Sequence, residues 1–159
     1  MKVNLKGNSN KKVLFFYEDD NKIPEQYFKN GIFTGKANQS HFVITDEKIN
    51  IYFGLGKKKE LEFFQYLKNG IKLVKTLKKI KNESVEVDLN QFKSEEVFFL
   101  SQGIFLEALY DFSMKKKDEK KKLKEIILTY KDEKILKKAK IIAESRNMVR
   151  ELVDTPSNI

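Results

Sequence analysis

The sequence predicts an α/β domain with a mixed, largely parallel sheet and helices on both faces. Short apolar segments of strand type alternate with longer segments of helical periodicity, and this alternation implies crossovers between parallel strands. The 159 residues suit one domain, which can bury a core without disulfides. Proline and glycine are scarce, at 2 and 7 residues, which argues against a disordered chain.

The strand-type segments are short and either continuously apolar or alternating with a period of two. The run VLFFYE is apolar and aromatic, as expected of a buried strand, whereas SVEVDL alternates. Two neighbouring segments joined by a short turn predict a hairpin. The predicted strands are residues 2–6, 13–18, 41–45, 48–53, 84–89 and 125–130.

Three segments carry apolar residues at helical spacing, residues 60–81, 94–112 and 133–153. The predicted stripe of the first helix is Phe64, Leu67, Ile71 and Val74, widened by Phe63, Leu77 and Ile80. Ser94 is predicted to cap the second helix, before an acidic first turn. The predicted face of the last helix is Ile135, Ala139, Ile142 and Val149, with Leu136, Ala143 and Leu152 beside it.

Composition excludes several classes of protein. The chain has no cysteine, which excludes disulfides and cysteine-ligated zinc. It has no apolar run of the roughly 20 residues that a membrane span needs, and we expect a cytoplasmic protein. The net charge of +9 can attract nucleic acid, but all except two of the 32 basic residues are lysine rather than the arginine that phosphate readers favour. A solvated lysine-rich surface is the simpler interpretation, and nucleic-acid binding stays an alternative.

The sequence offers few residues for an active site. Gly54 and Gly56 follow a strand and precede Lys57, so their turn is a weak candidate for anion binding, but the dinucleotide and P-loop motifs are incomplete. A tight turn between strand and helix is the simpler interpretation. His41, the single histidine, has no neighbouring ligand set. Adjacent carboxylates at residues 18–20, 95–96 and 118–119 are explained by surface charge and helix capping.

The final helix ends in a motif that needs a separate explanation. Residues 147–158 have the sequence NMVRELVDTPSN. Pro156 disfavours the α conformation at Thr155, so the helix must end there. Asp154 and Thr155 can bond to nearby backbone groups where the chain turns.

Residues 137–158 resemble the junction segment of the leucyl aminopeptidases, the cytosolic metallopeptidases of peptidase family M17. The family pattern is N-x-x-R-[DE]-L-V-[ND]-T-P-[SP]-N. Its positions are held here by Asn147, Arg150, Leu152, Val153, Thr155, Pro156 and Asn158, with Glu151, Asp154 and Ser157 between them. Weaker similarities occur in the family's order at residues 51–61, 84–89 and 102–117, so that the resemblance runs from about residue 13 to residue 159.

The resemblance implies a macro-domain-like, three-layer α/β/α sandwich. It implies one domain at residues 1–154, while residues 155–159 begin the junction to an absent C-terminal catalytic domain. In the family, two divalent metals (zinc or manganese) and the catalytic residues lie in that second domain, and the assembly is a homohexamer. No residue of this chain matches a catalytic, cofactor-binding or metal-binding position of the family.

Three interpretations of function therefore stand at this point. The first is the non-catalytic N-terminal domain of a leucyl aminopeptidase, inactive when isolated. The second is a lysine-rich binding module for nucleic acid or an ADP-ribose-type phosphate ligand, which the charge and the glycine turn suggest but which fold analogy alone does not support. The third is a free-standing regulator that ends at Ile159.

Overall fold

The computed structural model describes residues 1–80, 83–110 and 123–154. The strands are β1 (Lys2–Asn4), β2 (Lys11–Phe16), β3 (Ser40–Thr45), β4 (Lys48–Gly54), β5 (Ser84–Asp88) and β6 (Glu125–Thr129). The helices are α1 (Glu25–Lys29), α2 (Phe63–Lys78), α3 (Ser94–Leu109) and α4 (Glu133–Asp154), with a 3-10 turn at Lys58–Glu60. Among the described helices, none combines the length and the apolar character that crossing a bilayer requires.

The six strands form one sheet in the order β1-β6-β5-β2-β4-β3. All neighbouring strands are parallel except β3, which lies antiparallel to β4 at one edge. β3 and β4 are the predicted hairpin, and Asp46 in its turn has a φ of 47°. The predicted α/β fold with a mixed, largely parallel sheet is therefore confirmed, and all six predicted strands are present.

The alternation of side chains along the central strands separates two apolar clusters on opposite faces of the sheet. Phe15 and Phe53 belong to the larger cluster, to which α2, α3 and α4 all contribute buried residues. Phe16 and Tyr52 belong to the smaller cluster, with Phe33. Helices thus lie on both faces of the sheet, with α2, α3 and α4 on the side of the larger cluster and α1 on the side of the smaller one. Helix α1 was not predicted, because its five residues are too few to show helical periodicity and none is buried.

Helix α2 is shorter than predicted, and its buried face is rotated relative to the predicted stripe. Leu67, Val74 and Leu77 are buried as predicted, but Phe63 and Phe64 are 46% and 60% exposed. The buried face instead includes Tyr66, Asn69 and Gly70, next to Leu73. The spacing of apolar residues in the sequence did not predict these three. The rotation follows from the close approach of α3, which requires a glycine at the centre of the contact.

Helices α2 and α3 touch at Gly70 and Gly103. A Cβ atom on Gly70 would lie 2.2 Å from the carbonyl oxygen of Leu100, and one on Gly103 would lie 2.0 Å from the carbonyl oxygen of Leu67. No side chain fits at either position, so the two glycines allow direct contact between the helix backbones. This contact fixes α3 over the sheet and therefore fixes the surface against which α4 packs.

Helix α3 begins at Ser94, but the prediction that Ser94 is its cap is wrong. Lys93 is the N-cap residue, and its backbone N–H donates to Glu96 Oε1 at 2.9 Å. Glu96 therefore supplies the side chain that reaches back to the cap, as in half of a capping box. The Ser94 hydroxyl instead lies 3.3 Å from the hydroxyl of Tyr130. The predicted end of this helix at residue 112 and the acidic pair at 118–119 lie outside the described residues.

Candidate functional site

Helix α4 carries the described part of the predicted junction motif, Asn147, Arg150, Leu152 and Val153. Thr155, Pro156 and Asn158 lie outside the described residues. The buried residues of α4 are Leu136, Ala139 and Ala143, all in its first half, where it packs in the larger core cluster. The second half, which contains the motif, is held to the domain by polar contacts instead.

Five residues form the contact between the second half of α4 and the end of α3, and we call them the α4 anchor. Asn147 Nδ2 donates to the carbonyl oxygen of Leu106 at 3.1 Å. The guanidinium carbon of Arg150 lies 3.7 Å from the ring centroid of Tyr110, and Arg150 Nε lies 3.7 Å from Asp154 Oδ2. The Tyr110 hydroxyl donates to Asp154 Oδ2 at 2.6 Å, and this hydrogen bond raises the pKa of Tyr110.

Five apolar side chains of α4, four of them in its second half, point away from the domain. The set that we call the α4 apolar face is between 62% and 77% exposed and consists of Ile141, Met148, Val149, Leu152 and Val153. With 3.6 residues per turn, this face lies on the side of the helix opposite the α4 anchor. The prediction that Val149 and Leu152 lie on the packed face is wrong, because Asn147 and Arg150 occupy the side next to α3.

The predicted anion-binding turn at Gly54 and Gly56 has amide groups that are already paired. The N–H of Gly54 donates to the carbonyl of Gln39 at 2.8 Å, and the N–H of Gly56 donates to the carbonyl of Gly35 at 2.9 Å. A Cβ on Gly54 would lie 2.1 Å from the carbonyl oxygen of Lys36. Gly54 is thus required for packing against the adjacent loop, and the amides of both glycines bond within the domain.

The amide groups that follow this turn bind a carboxylate of the protein itself. Asp19 Oδ1 accepts from the backbone N–H of Lys58 at 2.8 Å, and Asp19 Oδ2 accepts from that of Lys59 at 3.4 Å. Hydrogen bonding, from Lys58 above all, lowers the pKa of Asp19 below its ordinary value of 3.8. Lys57, the third predicted residue, is the N-cap of the 3-10 turn. The sequence predicted Asp19 only as surface charge, since nothing local indicates a contact 39 residues away.

His41 packs among aromatic rings. Its ring centroid lies 5.0 Å from that of Tyr27 and 6.3 Å from that of Tyr52. Within residues 1–80, 83–110 and 123–154, no three histidine, cysteine, aspartate or glutamate side chains come together as metal ligands. Among the described residues, the α4 apolar face is one feature that neither the core nor the predicted sites explain.

Comparison with known proteins places the chain among the N-terminal domains of peptidases. The family described as the cytosol aminopeptidase family, N-terminal domain, matches residues 18–118, which is more than half of the chain. The chain belongs to this family, as the resemblance of its sequence had implied.

Individual relatives agree with this assignment. A probable cytosol aminopeptidase of Aquifex aeolicus is 32% identical over 111 residues, which are 67% of this chain and 22% of that protein. The chain thus spans about a fifth of this curated relative.

Solved structures share the fold. The bottromycin maturation enzyme BotP matches with a TM-score of 0.75 and 15% identity, covering 94% of this chain and 33% of that chain. A structure of the same enzyme in complex with Mn gives a TM-score of 0.73. A mutant of tomato leucine aminopeptidase gives a TM-score of 0.74 at 15% identity, covering 99% of this chain and 39% of that chain. These likenesses show the fold alone.

Proposed function

We propose that this chain is the non-catalytic N-terminal domain of a metal-dependent leucyl aminopeptidase, which removes N-terminal amino acids from peptides. The α4 apolar face is the observation that carries the proposal. A helix on a free surface turns its apolar residues inward and its polar residues outward. The second half of α4 does the reverse, and exposed apolar patches of this kind mark surfaces that contact another protein region. In the proposal a catalytic domain covers this face.

The proposed boundary of the domain follows from the same helix. Residues 1–154 form the domain, and residues 155–159 begin the junction. The α4 anchor supports this boundary, because it holds the helix up to Asp154 against α3. The relatives support it as well, since the chain covers only 22% to 39% of their lengths. By the family resemblance, the whole protein is proposed to be a cytoplasmic homohexamer, and the isolated chain a monomer.

The proposed reaction needs metal ions, and the described residues of this domain do not offer a site that fits them. Two divalent ions, zinc or manganese, activate water and polarise the scissile carbonyl in peptidases of this kind. The described residues provide no group of three potential ligands. The proposal therefore assigns the metals and the catalytic residues to the catalytic domain. One structural neighbour, BotP, is described in complex with Mn.

The first test has two parts. The reading frame of the gene is followed beyond codon 159, and the purified chain is assayed with leucyl-p-nitroanilide in the presence of Mn²⁺ or Zn²⁺. We expect a catalytic domain downstream and no turnover by the chain alone. A stop directly after Ile159 would favour the free-standing regulator, and turnover that tracks with the purified chain through successive columns would show that the domain is catalytic.

A second candidate function is supported by helix α2, which presents a stripe of lysines to solvent. Their spacing of four, three and four residues places them on one side of the helix over about 17 Å, at a rise of about 1.5 Å per residue. None of them forms an ion pair with another described residue. The stripe is Lys68, Lys72 and Lys75 of α2, with its C-cap residue Lys79. This candidate is a binding surface for the phosphates of nucleic acid.

Titration with duplex DNA at two salt concentrations distinguishes the two candidates. Micromolar binding that weakens steeply with salt would favour the nucleic-acid surface. The change Lys72→Gln with Lys75→Gln would then lower the salt slope by about two, while Lys137→Gln with Lys138→Gln on α4 serves as the charge-matched control. Weak binding without salt dependence would leave the aminopeptidase domain as the only candidate of the two.

A further inference from the structure

A cleft lies at the carboxyl edge of the sheet, between the ends of β2 and β5. From β2 the chain continues through α1 to β3, on one side of β2, and from β5 it continues through α3 to β6, on the other side. Open α/β sheets bind ligands at such a switch point, where neighbouring connections diverge. The volume of the cleft is about 170 Å³. Pockets for drug-sized ligands measure about 300–1,000 Å³, so this cleft suits a smaller molecule.

The floor of the cleft is aromatic. Phe15 and Tyr17 line it, and the buried ring of Phe92 packs edge-on against both. The Tyr17 and Tyr66 hydroxyls lie 2.9 Å apart, and Tyr66 donates to Glu96 Oε2 at 2.7 Å. Burial raises the pKa of Tyr17 to about 12, so its hydroxyl is neutral at physiological pH. The charges of the cleft therefore lie at its rim.

The rim carries two lysines that form no ion pair with any described residue. Lys22 lines the cleft but lies 3.7 Å from the carboxylate of Asp20. Lys58 and Lys93 also line it, and neither forms an ion pair with another residue of the described ranges. The ammonium of Lys58 lies 5.3 Å from the ring centroid of Tyr17. Two ammonium groups that no described carboxylate neutralises, beside a neutral aromatic surface, favour an anionic group on an apolar body.

The backbone at the rim argues against a phosphate at Lys58 and Lys93. Phosphate sites are usually built from free backbone N–H groups at loops and helix starts. Here the N–H of Lys58 donates to Asp19, and the N–H of Lys93 donates to Glu96. The Glu96 carboxylate also lines the cleft. Its negative charge repels a phosphate dianion and attracts an ammonium group.

We propose that this cleft binds a free amino acid with a large apolar side chain, in its zwitterionic form. The carboxylate of the ligand lies between Lys58 and Lys93, its ammonium group faces Glu96, and its side chain packs against Phe15 and the ring of Tyr17. The choice of an amino acid among small zwitterions rests on the proposed function, because an aminopeptidase releases free amino acids. The cleft is then a site at which this domain senses the product.

The test is calorimetric titration of the whole chain with L-leucine and two analogues that each lack one charge. Leucinamide has no carboxylate, and 4-methylpentanoate has no ammonium group. We expect leucine to bind and each analogue to bind at least about tenfold more weakly, because each leaves a charged group of the rim without its partner. Lys58→Met with Lys93→Met is expected to weaken leucine binding by about tenfold or more. The matched control, Lys72→Met with Lys75→Met on α2, is expected to leave it unchanged.

Three results of these titrations would overturn the proposal. These are the absence of leucine binding to the folded chain at millimolar concentration, equal affinity for leucine and leucinamide, and leucine affinity that is unchanged by the two rim substitutions. Inorganic phosphate that displaces leucine and binds more tightly than leucine would also reject the proposal, in favour of a phosphate site. The titration uses the chain alone, so its failure does not bear on the proposed role of the α4 apolar face. Failure of the aminopeptidase proposal would instead be seen in the reading frame beyond codon 159.

Discussion

Alanine at position 103 is expected to destabilise the domain, although alanine favours helices by about 1 kcal/mol over glycine. The new Cβ would lie 2.0 Å from the carbonyl oxygen of Leu67 and 3.0 Å from the backbone nitrogen of Ile71. Ordinary contacts begin at 3.4 Å, so the first distance must grow by 1.4 Å, the difference between 3.4 and 2.0 Å. Both atoms belong to the backbone of α2, and the whole helix must therefore move.

The expected net loss for Gly103→Ala is about 2 kcal/mol or more. Overpacking costs about 1–3 kcal/mol, and a backbone contact this short belongs at or above the upper end, from which the helix propensity of alanine subtracts about 1 kcal/mol. For a domain of this size, that loss lowers the Tm by roughly 4–8 °C. Thermal and urea unfolding, followed by circular dichroism, measure it.

Two control substitutions separate the steric effect from other effects. Lys72→Ala on the exposed side of α2 is expected to change stability by less than about 0.5 kcal/mol. Gly31→Ala meets no atom within 4 Å but has a φ of +66°, so only backbone strain of about 1 kcal/mol is expected. A Tm for Gly103→Ala equal to or above that of the unmodified chain would refute the close contact of α2 and α3.

Three further predictions concern single side chains. The pKa of Asp19 is lowered in the folded state, so its carboxylate stabilises the fold above its unfolded pKa of about 4, and this stabilisation is lost as the pH falls through the lower folded value. The Tm difference between the unmodified chain and Asp19→Ala should therefore shrink below about pH 4, and a difference independent of pH would contradict the role of the carboxylate. Tyr110→Phe removes the hydrogen bond to Asp154 but keeps the ring beneath Arg150, so faster amide exchange is expected at residues 150–154; unchanged exchange would show that this bond does not hold the helix end. Tyr17→Phe should cost about 1 kcal/mol in urea unfolding, the value of one hydrogen bond, and a neutral effect would contradict the paired tyrosines.

The sheet could be predicted from the sequence because its signals are local. Each strand is a short apolar or alternating segment, and each crossover helix is long enough to show its period. The junction motif was also visible, since its residues are close together in the sequence. The order of the strands was not predicted, because it depends on pairings such as that of β1 with β6, which are more than 100 residues apart.

The faces of α2 and α4 were predicted less well, for a common reason. Periodicity assumes that apolar residues face the core, and both helices depart from that assumption. In α2 a glycine contact sets the rotation, and in α4 the polar residues Asn147 and Arg150 face α3. The exposed apolar residues of α4 are the observation on which the proposed function rests.

The cleft could not be predicted, because its residues come from distant parts of the chain. Tyr17 follows β2, Lys58 follows β4, and Lys93 precedes α3. Lys58 directly follows the glycine turn that is a weak candidate for anion binding, but Tyr17 and Lys93 belong to no recognisable motif. The same holds for Asp19, whose partners follow another strand. Only the topology brings these loops to one edge of the sheet.

Contact between the α4 apolar face and a catalytic domain is tested most directly by thiol labelling. The chain has no cysteine, so Leu152→Cys introduces a single reactive group, and Ile44→Cys on the exposed edge strand provides the control. In the isolated chain both cysteines should react rapidly with a maleimide. In the protein that carries the catalytic domain, labelling at position 152 should be at least about tenfold slower, while position 44 is unchanged. Equal labelling of position 152 in both proteins would contradict the proposed role of this domain.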